Sequence, residues 1–248
     1  MIDSVRSTVL GILNKNNYGF IPPSDFNLYA KQAQMEIFEG YFSDYNKAIV
    51  KENRRVSGTG YADQVKPIGE NLELFSETKS LTRDTGNIFY LPSLTTTSDE
   101  AYVINKVMCY KSVSSVWVFM GKAEKVSQSI VDDLVSSNLT TPTEKYPIYS
   151  QDSLRITVYP STYATQDSVK AQYFRYPKDP KWTYLSLSGG EPIFNASAAD
   201  YQDFELPANE EYKLVIKILQ YCGLSIREQE VTNYGMIQEQ KEQASTNI

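Results

Sequence analysis

From Ser24 to about Arg55 the sequence keeps a helical spacing that only Gly40 interrupts. Pro22-Pro23 sets an extended approach, Ser24 is a good N-cap, and Asp25 suits the positive end of the first turn. Phe26, Ala30, Ala33, Ile37 and Tyr41 form one apolar stripe, while Leu28, Met35, Phe38, Phe42 and Ile49 form a second, displaced around the axis. At about 100° per residue the two stripes together cover roughly 200°, about twice what a surface helix needs. Such a helix has to be covered on two sides, as the centre of one domain or as an element shared between adjacent subunits. The second stripe, Leu28, Met35, Phe38, Phe42 and Ile49, is therefore the candidate subunit-packing face.

Helices are expected at both chain ends. Ser4 to Asn14 places Val5, Val9, Ile12 and Leu13 on one side. Near the other end Pro207 suits a first turn, Glu210 and Glu211 suit its positive end, and Leu214, Ile218, Leu219 and Cys222 are spaced to pack. Gly223 reads as an interruption, followed from Ser225 to about Ala244 by a polar helix anchored by Ile226, Val231, Tyr234 and Ile237. A helix that polar is marginal alone and calls for a partner.

Between the ends, Tyr102 to Lys111 and Val113 to Met120 read as strands, and Lys122 to Asn138 returns to helical spacing. Leu154 to Tyr159 and Val169 to Tyr176 alternate with a period of two and read as an antiparallel hairpin. Ser57 to Ser98, punctuated by glycine and proline, offers only short strands such as Asn87 to Leu91. The expected fold class is α+β. Residues 1–56 and 206–248 supply end helices packed as a helical bundle, and a central antiparallel β-domain, 57–205, carries one inserted helix, 122–138.

The 248 residues include no histidine. Ser-His-Asp and Cys-His nucleophilic sites, histidine acid–base chemistry and most catalytic zinc sites are thereby excluded. Cys109 and Cys222 are too few for a structural zinc site and read as small buried hydrophobes. No cofactor or metal is expected, and the protein is read as not an enzyme. A net charge of −6 disfavours adhesion to nucleic acid or anionic membrane, yet suits a wall that DNA slides past. The 19 tyrosines suit either surfaces buried on assembly or a tyrosine-rich core. No apolar run approaches the roughly 18 residues of a membrane span, and Met1-Ile2-Asp3-Ser4-Val5-Arg6 does not open a signal peptide, so a soluble protein is expected.

Other motifs are weaker. Gly58-Thr59-Gly60 lacks the continuation of a phosphate loop, and Gly189-Gly190 reads as a turn. Asp132-Asp133, or Glu205 with Glu210 and Glu211, could pair for glycoside hydrolysis, although a solvated face and a helix start account for them. Asn138-Leu139-Thr140 and Asn195-Ala196-Ser197 match a glycosylation signal without a secretory context. The run Tyr173 to Trp182 could stack bases, or form an ordered proline-aromatic turn.

Three passages taken in order carry a resemblance. They are Asn17-Tyr18-Gly19-Phe20-Ile21-Pro22-Pro23-Ser24-Asp25-Phe26-Asn27 leading to Ala30-Lys31-Gln32-Ala33-Gln34 and Phe38; Ile156-Thr157-Val158-Tyr159-Pro160 followed by Tyr173 to Trp182; and Leu206-Pro207 to Glu211 followed by Ile218 to Glu228. Together they resemble virion structural proteins of short-tailed phages, most closely the ring-forming head-to-tail connector proteins of crAss-like phages. The resemblance implies a homo-oligomeric ring of about a dozen copies around a DNA channel. It further implies attachment to the portal protein and to tail ring proteins, passage of DNA without specific binding, no membrane contact, and assembly into the virion in the host cytoplasm. In such adaptors the C-terminal segment docks on the portal, which points to Ile226, Val231, Tyr234 and Ile237. The alternatives are another tail or accessory virion ring protein, a virion-associated cell-wall hydrolase, and a single-strand nucleic-acid binder.

Overall fold

The computed structural model describes residues 1–13, 21–53, 65–93, 99–186, 192–226, 236–237 and 240. The chain divides into two compact units, one of residues 1–71 with 177–248 and one of residues 72–176. These divisions differ from those the sequence pattern suggests, at 56/57 and 205/206.

In the first unit, α1 (Ile2–Leu13) buries Ile2, Val5, Val9 and Leu13, three or four residues apart on one face. Helix α2 (Pro23–Asn53) starts before the expected position: Pro23 is its first residue and Ser24, expected to cap it, lies in the first turn, because proline at the first helical position loses no hydrogen bond the helix would make. Its first stripe, Phe26, Ala30, Ala33, Ile37 and Tyr41, is buried. Helix α5 (Glu211–Ile226) packs on both α1 and α2 through Leu214, Val215, Ile218, Leu219 and Cys222, and it runs through Gly223 without interruption. One buried glycine costs a helix only about 1 kcal/mol, which tertiary packing outweighs. Glu36 ties the pair together, accepting from Lys217 Nζ at 2.7 Å and from the Tyr221 hydroxyl at 3.0 Å. Gln34, buried on α2, donates to the Lys178 carbonyl and accepts from the Glu205 amide. The unit also holds most of α3 (Val65–Glu73) and the small antiparallel pair β9 (Tyr184–Ser186) and β10 (Pro192–Phe194).

The second unit is built on β1 (Ser76–Ser80), β2 (Thr82–Arg83), β3 (Ile88–Tyr90), β4 (Ala101–Val113), β5 (Val116–Lys125), β6 (Ile148–Asp152), β7 (Arg155–Tyr159) and β8 (Val169–Arg175). They form one sheet in the order β1-β8-β4-β5-β6-β7-β3-β2. Its two end strands, β1 and β2, are consecutive pieces of one stretch hinged at the buried Leu81, so the sheet comes close to closing into a barrel. The inward residues of alternate positions fill it: Leu81, Phe89, Val107, Cys109, Ala123, Ile156, Val158, Val169, Ala171 and Tyr173 are all buried together.

The expected bundle of end helices around a central antiparallel β-domain is overturned. The protein is a mixed helix and sheet structure dominated by the eight-stranded near-barrel, with its helices mostly toward the two ends of the chain. Three differences have physical causes. The inserted helix, α4, covers only Gln128–Ser136 rather than 122–138, because Lys122 to Lys125 extend β5 and pair with β4 and β6. The β5–β6 pair is parallel, with α4 lying in the crossover between them, so the sheet is not purely antiparallel. Finally, β7 and β8 do not pair. A 3-10 turn at Ser161–Tyr163 carries the chain between them, and β7 lies between β6 and β3 while β8 lies between β1 and β4.

Candidate interaction surface

Strand β4 pairs with β8 as far as Cys109, and β5 pairs with β6 only from Glu124. Beyond those limits, apart from the Tyr110 amide donating to the Ser168 carbonyl at 2.7 Å, the two strands pair only with each other among the described residues, through Tyr110↔Phe119, Lys111↔Val118, Ser112↔Trp117 and Val113↔Val116. They leave the sheet as a two-stranded arm. A bulge marks its base, where Met120 is the extra residue between Cys109↔Gly121 and Tyr110↔Phe119. Such a bulge bends the strand that carries it and redirects the arm beyond. Gly121 sits at the same point because a side chain there would meet the Lys145 carbonyl oxygen at 2.6 Å. At the tip, Ser114 and Ser115 have φ of 52° and 67°, the pair of left-handed residues that a tight two-residue hairpin requires.

Every residue from Lys111 to Phe119 is exposed. Trp117 is 42% and Phe119 53% accessible, beside exposed Val113, Val116 and Val118. The run from Ser112 to Gly121 carries no charge, in a chain in which 22% of residues are charged. Cross-strand pairing gives the arm two unlike faces, since directly paired residues share a face. Tyr110, Ser112, Trp117 and Phe119 lie on one, with the Tyr110 and Phe119 rings edge to face at 5.6 Å, and Lys111, Val113, Val116 and Val118 lie on the other. Uncovered apolar side chains on both faces of a two-stranded arm make it the candidate interaction surface.

Of the residues expected to pack between subunits, Leu28 is exposed, Met35, Phe42 and Ile49 are half-buried, and Phe38 is enclosed by the first unit itself, edge to face with Phe42 at 5.2 Å. Leu28, Met35, Phe42 and Ile49 succeed one another at seven-residue spacing along α2 and so keep one side of it. Of the residues expected to dock on a portal, Ile237 is exposed. Ile226 ends α5 with its side chain outside the described residues, and Val231 and Tyr234 lie outside them altogether. The sequence pattern does not single out the arm as a site. Val116 to Met120 reads as a strand, and its uninterrupted apolar run is the pattern of a buried strand as much as of an exposed one.

The other candidates resolve into structure. Trp182 is buried, with the Arg6 guanidinium 3.8 Å from its ring centroid, its Nε1 donating to Asp3 at 2.9 Å, and the Tyr184 and Phe194 rings stacked at 5.8 Å. An indole so enclosed has no free face for a nucleobase. A cleft of about 260 Å³ beside it is lined by Ser24, Asn27, Lys181, Thr183 and Asp200. Its polar groups are spent on one another: Asn27 bonds both the amide and the carbonyl of Trp182, and Lys181 pairs with Asp200 at 2.5 Å. Asp132 and Asp133 are exposed on α4, diverging by about 100° around its axis. Glu205 accepts from the Lys178 amide, and Glu210 is buried beside Lys213 at 3.2 Å. Burial, then the neighbouring Glu210 carboxylate, holds the Tyr41 phenol well above its ordinary range. Cys109 and Cys222 are free and buried, and burial pushes both thiols up to about 12.

Gly58-Thr59-Gly60 and Gly189-Gly190 lie outside the described residues. Among the described residues no cluster of His, Cys, Asp and Glu could hold a metal ion, and no helix is long and apolar enough to cross a membrane. No family model matches this chain, and no curated protein matches it.

Proposed function

We propose that the chain is a structural, ring-forming subunit of a phage head-to-tail connector, joining a portal to a tail and surrounding the path of the DNA in the virion. The observation that carries this reading is the uncharged apolar arm formed by β4 and β5, whose exposed valines, tryptophan and phenylalanine fit a surface covered on assembly. The apolar side of α2, from exposed Leu28 through half-buried Met35, Phe42 and Ile49, fits a second contact between subunits. The net charge of −6 suits a channel wall that repels the phosphate backbone rather than holding it. The segment after α5 is assigned to the portal. Its test is co-sedimentation of the full chain, and of a chain ending at Ile226, with a purified portal ring. The full chain is expected to sediment with the ring and the shortened chain to stay in the supernatant. Equal sedimentation of both removes the C-terminal docking role, and failure of both removes the connector reading.

A further inference from the structure

Among the described residues the arm has two free edges, one along β4 at Ser112 and Val113, just past Lys111 with its bond to Glu144, and one along β5 from Val116 to Met120. Open strand edges are templates for pairing, and proteins that keep them apart from other chains place charges, prolines or covering loops on them. This arm does none of these between Ser112 and Met120. We infer that the β4–β5 arms of successive copies of this chain pair edge to edge, β5 of one copy against β4 of the next, in a continuous β-belt. The inference rests on the ring-forming reading above and names the contact that closes the ring.

Two observations select a second copy over a different partner. The first is the count of edges. A single foreign strand covers one edge and leaves the other open, whereas identical arms side by side cover both with one repeated contact. A contact of that head-to-tail kind is the one that generates closed rings. The second is charge. Copies with a net charge of −6 repel one another, and the arm is a stretch along which they can touch without bringing like charges together. In the belt Trp117 and Phe119 of each arm lie on one face, and Val113, Val116 and Val118 on the other, so each apolar row continues from copy to copy.

The test uses the full chain in two forms. In W117K/F119K both positions are already exposed, so the unit is expected to fold as before, which far-ultraviolet circular dichroism checks. Buried interface tryptophans account for much of an interface's affinity, so the variant's apparent dissociation constant for self-association, alone or on a portal ring, is expected to rise by about thirtyfold or more. In S115C a cysteine stands at the arm's tip while the two native thiols stay buried. Hairpins lying side by side repeat at about 10 Å, two strand spacings, so a bis-maleimide of that span is expected to join neighbouring chains in high yield. A wild-type chain that assembles while W117K/F119K assembles equally well, or while the S115C tips do not crosslink, overturns the belt and leaves the ring reading standing. A wild-type chain that does not assemble, alone or on the portal ring, removes both.

Discussion

Trp182 shows how much of the first unit's order converges on one side chain. Its indole fills the space between Arg6 of α1, Tyr184 of β9 and Phe194 of β10, and its single donor is used by Asp3. Burial lowers the Arg6 pKa and the charge of the Asp3 carboxylate opposes that shift, while the guanidinium lies over the Trp182 ring. Trp182→Ala is expected to destabilise the protein by about 3–5 kcal/mol in a urea titration. Trp182→Phe keeps a ring but loses the bond to Asp3, and about 1–3 kcal/mol is expected. A Trp182→Phe variant as stable as wild type would contradict the role given to Nε1, and equal losses from both variants would contradict the role given to the ring.

Asp203 provides the matching electrostatic test. Partial burial acts to raise its pKa, but bonds from the Met1 amino group at 3.0 Å and the Ile2 and Phe204 amides at 2.8 Å prevail and hold it below the ordinary value. A depressed carboxylate adds stability that is present above its unfolded pKa, about 3.9, and is lost as pH falls through the lower folded value. Wild type is therefore expected to exceed Asp203→Asn in stability above about pH 5, with the gap closing on acidification below about pH 4. A gap that widens on acidification would reverse the sign and refute the assignment.

At the scale of elements, the arm depends on its base. Gly121 packs so closely on the Lys145 carbonyl that Gly121→Ala must displace backbone, and about 1–3 kcal/mol of destabilisation is expected by thermal melting. The elements legible in the sequence are those with a strong local signal. The run Pro22-Pro23-Ser24-Asp25 announces α2, and Val169, Ala171 and Tyr173 alternate inward along β8 as their spacing requires. Strand β1, Ser76-Glu77-Thr78-Lys79-Ser80, carries no apolar residue to alternate. It is held instead by pairing with β8 and by ions, Lys79 bridging Asp99 and Glu77, and Glu77 accepting from Arg175 Nε at 3.0 Å. No local pattern encodes such a strand. Pairing is hidden for a related reason, because β7 and β8 each alternate cleanly while their partners lie elsewhere in the sequence, and partner choice is a property of the whole sheet.

At the scale of the whole molecule, the near-closure of the sheet explains why the second unit can carry an exposed arm. Strands β8, β4, β6, β7 and β3 each have a neighbour on both sides, and outside the arm only the short end strands β1 and β2 keep an outer edge, so the packed sheet does not depend on the arm finding a partner. The first unit has its own core, with buried residues on α1, α2 and α5. Tyrosine serves both ends of this design: Tyr41, Tyr149, Tyr163 and Tyr173 are buried, while Tyr146, Tyr184 and Tyr212 remain exposed. Two compact units, an exposed apolar arm and a long helix on which the apolar Leu28 is exposed are the features on which the proposed ring-forming role depends.

The native mass of the purified full chain, alone and mixed with a portal ring, tests the ring-forming account most directly. A closed ring, or a stoichiometric complex of about a dozen copies on the portal, is the predicted result. A stable monomer that ignores the portal would contradict it.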